Sequence, residues 1–309
     1  MIIAMMEEDK LATYKSKLRD DFPTLSISSL KIIGKGWHHD AVEVNGNTVF
    51  RLPRGDHGSD ITSTSVKYET AVLKLLKGKL TVEIPDPIYI ANDFGYFGYP
   101  KIQGVLLAEL WDDLGQSKKD SILHTWVDTI VTVHESISLP EALQLEIPLF
   151  VQPNSDMTEV AKRILDTPGL NGDVYAFSKR VFTALEKVDI QKEQNTVIHN
   201  DLHLFNMLVN PDSHEFTGAI DWTDICIGPV ARDFAVWEWR HDGSLEKAAQ
   251  IYKDKTGKSL DIMQARLWKY VENISDIVEA TESHDTAKVK ECLERINLWS
   301  STYDTLNKV

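Results

Sequence analysis

The chain has 309 residues, 42% apolar and 26% charged, with no low-complexity tract and no internal repeat, which argues against disorder or a fibrous array and leaves room for two lobes with separate cores. Its formal net charge of −14 argues against a nucleic acid or an anionic membrane as partner and suits a cationic small molecule, although acidity for solubility alone accounts for it as well. No run nears the roughly 18 apolar residues of a membrane span, residues Met1 to Met6 lack the basic start of a signal peptide, and Cys226 and Cys292 have no metal-ligand spacing, so a cytoplasmic monomer is expected.

In chain order, Ser29 to Ile33, Ala41 to Val44 and Thr48 to Leu52 read as an antiparallel meander, with turns at Gly34/Gly36 and at Asn45-Gly46-Asn47. Ser65 to Lys77 carries Val72, Leu73 and Leu76 at helical spacing and has Glu69 on its first turns. A second hairpin joins Ile88-Tyr89-Ile90 to Tyr96 through Pro100, completing a small five-stranded lobe with one helix. Two amphipathic helices follow, around Ile122 to Val133 and Val174 to Val188. Short strands are expected at Val197 to His199, Met207 to Val209 and Phe216 to Ile220. After them the chain turns helical again, continuously from Ala231 to Trp239 and through Met263, Leu267, Val271 and Ile274.

The chemistry gathers around those short strands. Asp201 follows a strand in His199-Asn200-Asp201-Leu202-His203-Leu204-Phe205-Asn206, and Ile220-Asp221 closes the next hairpin. Phosphoryl transfer needs one carboxylate to orient or deprotonate the accepting hydroxyl and another to hold magnesium against nucleotide phosphates. Asp201 and Asp221 suit these roles. Asn206, five residues after Asp201, has the spacing at which a catalytic loop returns to offer an amide oxygen to the metal, and His199 would brace the loop. Ordinary turn carboxylates are the competing explanation.

These residues resemble the antibiotic kinases of the aminoglycoside and macrolide phosphotransferase type, over most of the chain. The likeness is strongest in Val197 to His203 and in Gly218-Ala219-Ile220-Asp221-Trp222-Thr223-Asp224, and Asp233, twelve residues on, looks like a recurrent acidic position of that family. The resemblance implies an α+β, protein-kinase-like bilobal fold: a small antiparallel-sheet N-lobe with one helix over residues 1–99, a hinge at 100–106, and a larger, mainly helical C-lobe over 107–309. It also implies Mg²⁺ and either ATP or GTP as co-substrate.

Gly34 and Gly36 lie where a phosphate-covering loop would sit, in Ile33-Gly34-Lys35-Gly36-Trp37, though two glycines also make a simple turn. Arg51 stands on the third strand where a kinase lysine would grip phosphates and pair with Glu69, unless the two form only a surface salt bridge. Tyr99 would narrow the nucleobase pocket, in a position where the resembled family's bulky residues go with use of GTP. Pro100 lacks a backbone donor, which shifts the expected base contacts to Lys101 and Ile102.

For the acceptor, Glu238 is expected to meet a substrate ammonium, with Trp237 or Trp239 stacking on it and Asp233 nearby. The competing expectation makes the tryptophans core residues and pairs Glu238 with Arg240 or solvent. The function implied is transfer of the γ-phosphate to a hydroxyl of a cationic aminoglycoside or macrolide, giving resistance. A housekeeping kinase of a choline-like, sugar or homoserine-like acceptor would carry the same catalytic residues, and a catalytically weak nucleotide-binding module is the remaining alternative.

Overall fold

The computed structural model describes residues 2–36, 39–54, 63–151, 163–164, 166–167, 170, 172–189 and 195–306. Its contacts sort into two compact units, Met1–Pro148 with His199–Ile225, and Leu149–Ile198 with Cys226–Val309. The expected hinge segment, 100–106, lies within the first of these units. There a two-residue strand, Val105–Leu106, is hydrogen-bonded into the first unit.

The first unit opens with helix α1 (Ile2–Asp21) and an antiparallel sheet of β1 (Leu30–Lys35), β2 (His39–Val44), β3 (Thr48–Pro53), β4 (Tyr89–Ile90) and β5 (Phe97–Pro100), in the order β1-β2-β3-β5-β4. Asn45 and Gly46 take φ values of 53° and 75°, the left-handed pair that a tight hairpin between β2 and β3 demands. Gly98 is required by packing, because a Cβ there would sit 2.5 Å from the Phe50 ring. Helix α2 (Ser63–Leu76) buries Val66, Val72, Leu73 and Leu76, as its 3.6-residue spacing dictates.

Two expectations need correction here. The small sheet is accompanied by two helices rather than one, since α1 closes one side of the core through Tyr14 and Leu18, against Val42, Val44, Phe50 and Leu52. Among the described side chains of α1, these two, four residues apart, are the buried apolar ones, too few to show as a stripe in sequence; the Tyr14 hydroxyl also donates to Asp40 at 3.0 Å. Gly34 lies inside β1, opposite Ala41, and the turn belongs to Gly36, whose N–H donates to the His39 carbonyl at 2.8 Å. Trp37 lies outside the described residues.

The rest of the first unit holds the motif. Strand β6 (Val105–Leu106) pairs with β8 (Met207–Val209), which pairs with β9 (Phe216–Ala219), a three-stranded antiparallel sheet. Helix α3 (Gln116–Ser136) lays Trp126 under the loop after Ile198, and its indole N–H donates to the Leu202 carbonyl at 3.0 Å. A short helix, α4 (Leu139–Gln144), follows, capped by the Ser138 hydroxyl.

The second unit is built on α5 (Gly172–Leu185), α8 (Ile262–Glu282) and α9 (Thr286–Leu306), whose apolar faces enclose Phe177, Val181, Trp268, Tyr270 and Trp299. A strand absent from the sequence reading, β10 (Cys226–Gly228), pairs with β7 (Thr196–Ile198). The continuous helix expected over 231–239 is instead a short α6 (Val230–Phe234) followed by a 3₁₀ stretch, Ala235–Arg240, before α7 (Ser244–Thr256). Every residue from Ala231 to Glu238 is buried, so no solvent face imposes a 3.6 period, and left-handed His241 and Gly243 end the turn. Cys226 and Cys292 are both buried free thiols, and no described helix is long and apolar enough to cross a membrane.

Candidate active site

The loop between β7 and β8 is shaped by its own polar groups. Asn200 adopts φ 72°, a left-handed conformation that asparagine tolerates, and its side-chain amide donates to the Asp224 carbonyl at 3.2 Å. His199 is fully buried against Trp222, with ring centroids 4.5 Å apart, and its Nδ1 accepts the Asp201 N–H at 3.3 Å. The Asn206 side-chain amide donates to both the carbonyl and the carboxylate of Asp201, at 2.8 and 3.0 Å. With its NH₂ group engaged, Asn206 is oriented so that Oδ1 remains to accept or coordinate.

His203 was not singled out from the sequence, yet its Nε2 lies 3.5 Å from Asp201 Oδ2 while its Nδ1 accepts the Phe205 N–H at 3.1 Å. With Nδ1 an acceptor, the neutral ring carries its proton on Nε2, facing the carboxylate.

Arg51 is the centre of the second cluster. Its Nη1 donates to Glu69, and its Nη2 donates to Asp221 Oδ1 at 2.6 Å and to the Thr223 hydroxyl. Arg51 and Glu69 are both buried, which removes the surface salt bridge as an explanation of the pair. Burial opposes the charge on Arg51, but the Asp221 and Glu69 carboxylates hold its guanidinium firmly protonated. Burial pushes Glu69 up to about 7 against the pull of Arg51. Burial would also raise Asp221, yet Arg51, the Thr223 hydroxyl and, less strongly, His199 and His39 keep it below the usual carboxylate range. Asp221 itself sits at φ 59°, a left-handed position that turns its side chain out of line with β9.

One cavity of about 1130 Å³, lined wholly by residues of the first unit, collects Gly34, Gly36, Arg51, Tyr99, Lys101, Ile102, Asp201, Asn206 and Asp221. Glu69 and His199 are not part of its wall; they contact the groups that are. Oxygen donors on the cavity wall include the Asp201, Asp221 and Asp224 carboxylates and the Asn206 side-chain amide. Among the described residues no cluster of three His, Cys, Asp or Glu side chains could hold an ion. Hard oxygen donors of this kind fit Mg²⁺, which keeps several waters and would complete its shell with substrate phosphates.

At the expected hinge segment one atom is placed differently from expectation. The Lys101 N–H donates to the Asn47 carbonyl at 2.8 Å and its ammonium pairs with Glu43, so that backbone donor is already used in the sheet and cannot serve a base. Tyr99 is buried on the cavity wall, and burial pushes its hydroxyl up to about 12.

The expected acceptor residues all belong to the second unit. Glu238 is 1% exposed, and its carboxylate is held from both sides: Oε2 accepts from Arg266 Nε at 3.1 Å, and Oε1 meets Tyr270 and His241 at 3.2 and 3.1 Å. Trp237 is buried, and with Glu238, His241, Glu246 and Arg266 it borders a smaller cleft of about 200 Å³. The Trp239 ring is faced by the chain's own cations, Lys269, Lys288 and Arg295. Asp233 is buried in α6. No sequence pattern announces Arg266 or Tyr270, which reach Glu238 from positions 28 and 32 residues away.

An N-terminal antiparallel sheet, a buried arginine–glutamate pair and a carboxylate loop followed by a hairpin aspartate define a protein-kinase-like phosphotransferase. The chain belongs to the phosphotransferase enzyme family, whose sequence model matches residues 29–260. An uncharacterized protein of Bacillus subtilis (strain 168), YcbJ, is 24% identical over 242 residues, 75% of this chain and 74% of that one. Among solved structures, the GDP and kanamycin complex of an aminoglycoside phosphotransferase, APH(2″)-IIIa, superposes with a TM-score of 0.77 at 21% identity, covering 94% of this chain and 99% of that one. Macrolide 2′-phosphotransferase type I superposes with a TM-score of 0.64 at 17% identity, covering 91% and 96%. At these identities the structures share the fold.

Proposed function

We propose that the chain transfers the γ-phosphate of ATP or GTP to a hydroxyl of a cationic small molecule, an aminoglycoside or macrolide antibiotic, and so confers resistance, acting as a cytoplasmic monomer. The observation that carries the reading is the convergence of Asp201, Asn206, Asp221 and Arg51 on one cavity. Residues 1–99 would form the nucleotide-binding lobe, 100–106 the hinge and 107–309 the lobe that binds the acceptor. A nucleotide-bound and kanamycin-bound relative of the same fold supports the choice of both substrates.

In this reading Asp201 accepts the proton of the acceptor hydroxyl, held in place by the Asn206 amide and by His203. Asn206 and Asp221 hold Mg²⁺, which supplies charge neutralisation to the nucleotide phosphates when bound. Arg51 grips phosphate with a guanidinium fixed by Glu69, while Gly34 and Gly36 let the backbone approach. The base lies against Tyr99 and takes its backbone donor from Ile102, because the Lys101 N–H is engaged. An acceptor ammonium at Glu238 has to displace Arg266, and Asp233, Trp237 and Trp239 shape that end.

The test is to incubate the chain with ATP or GTP, Mg²⁺ and a panel of aminoglycosides and macrolides, and to look for products heavier by one phosphate. A phosphorylated drug supports the proposal. Phosphorylation of choline-like, sugar or homoserine-like compounds alone replaces it with a metabolic kinase.

A further inference from the structure

Asp221 is held by an arrangement that its role as a metal-binding carboxylate does not require of any neighbour. The Thr223 hydroxyl accepts from Arg51 Nη2, and its own proton is therefore directed onward, to Asp221 Oδ1 at 3.0 Å. Arg51 Nη2 reaches the same Oδ1 at 2.6 Å, so guanidinium, hydroxyl and carboxylate close a small ring. The Thr223 carbonyl in turn accepts the Tyr68 hydroxyl at 3.3 Å, which ties this turn to α2 beside Glu69. All of these groups lie in the first unit.

A carboxylate gripped only by a guanidinium can rotate about its Cβ–Cγ bond and exchange its two oxygens without losing the ion pair. With two donors on Oδ1, that rotation breaks two hydrogen bonds at once, one of them charge-assisted. Oδ2 is then the oxygen presented to a ligand. Threonine suits the task better than a straight-chain residue, because branching at Cβ restricts χ1 and keeps the hydroxyl where it is.

We propose that Thr223 is a positioning residue that fixes the Asp221 carboxylate for the divalent ion of the nucleotide complex, by directing one oxygen to Arg51 and leaving the other for the metal. The inference rests on the nucleotide reading above. Outer contacts of this kind usually change metal affinity by about 10- to 100-fold when removed.

The test uses the full chain with Thr223→Val, Thr223→Ala and Thr223→Ser, Mn²⁺ as the spectroscopic probe and ADP as the nucleotide. Free Mn²⁺ is followed by its paramagnetic resonance signal, and ADP affinity is measured with and without metal. The valine and alanine variants are expected to bind Mn²⁺ with ADP about 10-fold more weakly or worse. They should bind ADP alone as the unaltered chain does, and serine should restore metal affinity. Melting curves identify a variant that fails to fold, in which case the alanine and serine pair carries the comparison. Equal Mn²⁺ affinity in valine and unaltered chains overturns the inference alone, as does an equal loss of ADP affinity with and without metal. An unaltered chain that binds no Mn²⁺ with ADP overturns the nucleotide reading and this inference together.

Discussion

Glu238→Gln separates a structural role from an acceptor role. Glu238 is 1% exposed, and three groups converge on it: Arg266 on one oxygen, Tyr270 and His241 on the other. Breaking one partner of a buried ion pair costs about 3–5 kcal/mol, because the remaining charge stays buried and uncompensated. Here Arg266 keeps a second carboxylate, Glu246, whose side chain is 48% exposed and so compensates only in part. A loss of about 2–3 kcal/mol follows, which for a unit of this size lowers the melting temperature by roughly 5–10 °C.

Calorimetry of the second unit's transition measures this shift. Arg266→Gln combined with Glu238→Gln should recover part of the loss, since neither charge is then buried unpaired. A melting temperature within about 1 °C of the unaltered chain, together with a raised KM for the acceptor, would refute the reasoning and place Glu238 at the acceptor.

Three further outcomes are expected. Asp201→Asn keeps its hydrogen bonds to Asn206 within reach but cannot take a proton, so kcat falls by about 10²–10⁴ while affinity for the Mg-nucleotide holds, as single-turnover and binding measurements would reveal. Asp221→Asn should lose metal affinity along with turnover, because it removes the carboxylate donor itself; full activity in either variant is the contrary result. Arg232 and Lys269 hold Glu272 down to about 2 against the effect of burial, so its contribution is complete above its unfolded value near 4.5 and is lost as pH falls from there towards 2. That is about 3 kcal/mol of stability, visible in denaturant midpoints measured down that range, and Glu272→Gln should flatten the dependence.

What could be read from the sequence followed the range of the interactions. The sheet of β1 to β5 announced itself through alternation and turn residues, since Asn45-Gly46 can do little but turn a hairpin, whereas the pairing of β3 with β5 across α2 has no local signal. Asp201, Asn206 and Asp221 were legible because a loop and a hairpin bring them together within about twenty residues. Helix α1 was not, since among its described side chains Tyr14 and Leu18 make the buried apolar contact and two positions are too few to show as a stripe. Thr223 was unremarkable as a residue type; only the arrival of Arg51, 172 positions away, gives its hydroxyl a role. The use of the Lys101 N–H was hidden for the same reason, because its partner is the carbonyl of Asn47 in another turn.

The surroundings of Glu238 were illegible for a different reason. A carboxylate and two tryptophans in Trp237-Glu238-Trp239 carry the composition of a cation site, but composition does not say whether the chain supplies the cation itself. Here it does: Arg266 neutralises Glu238, Arg232 and Lys269 neutralise Glu272, and three side chains face Trp239. A net charge of −14 therefore does not translate into free carboxylates at these positions. An ammonium that is to bind Glu238 must replace a guanidinium already desolvated beside it, and the exchange gains only the difference between two similar charge pairs. If an acceptor binds at Glu238, discrimination between acceptors is expected to rest on the apolar contacts around the ammonium rather than on its charge. Within one drug class, altering the ring that carries the amine should accordingly change KM more than methylating the amine with its charge retained.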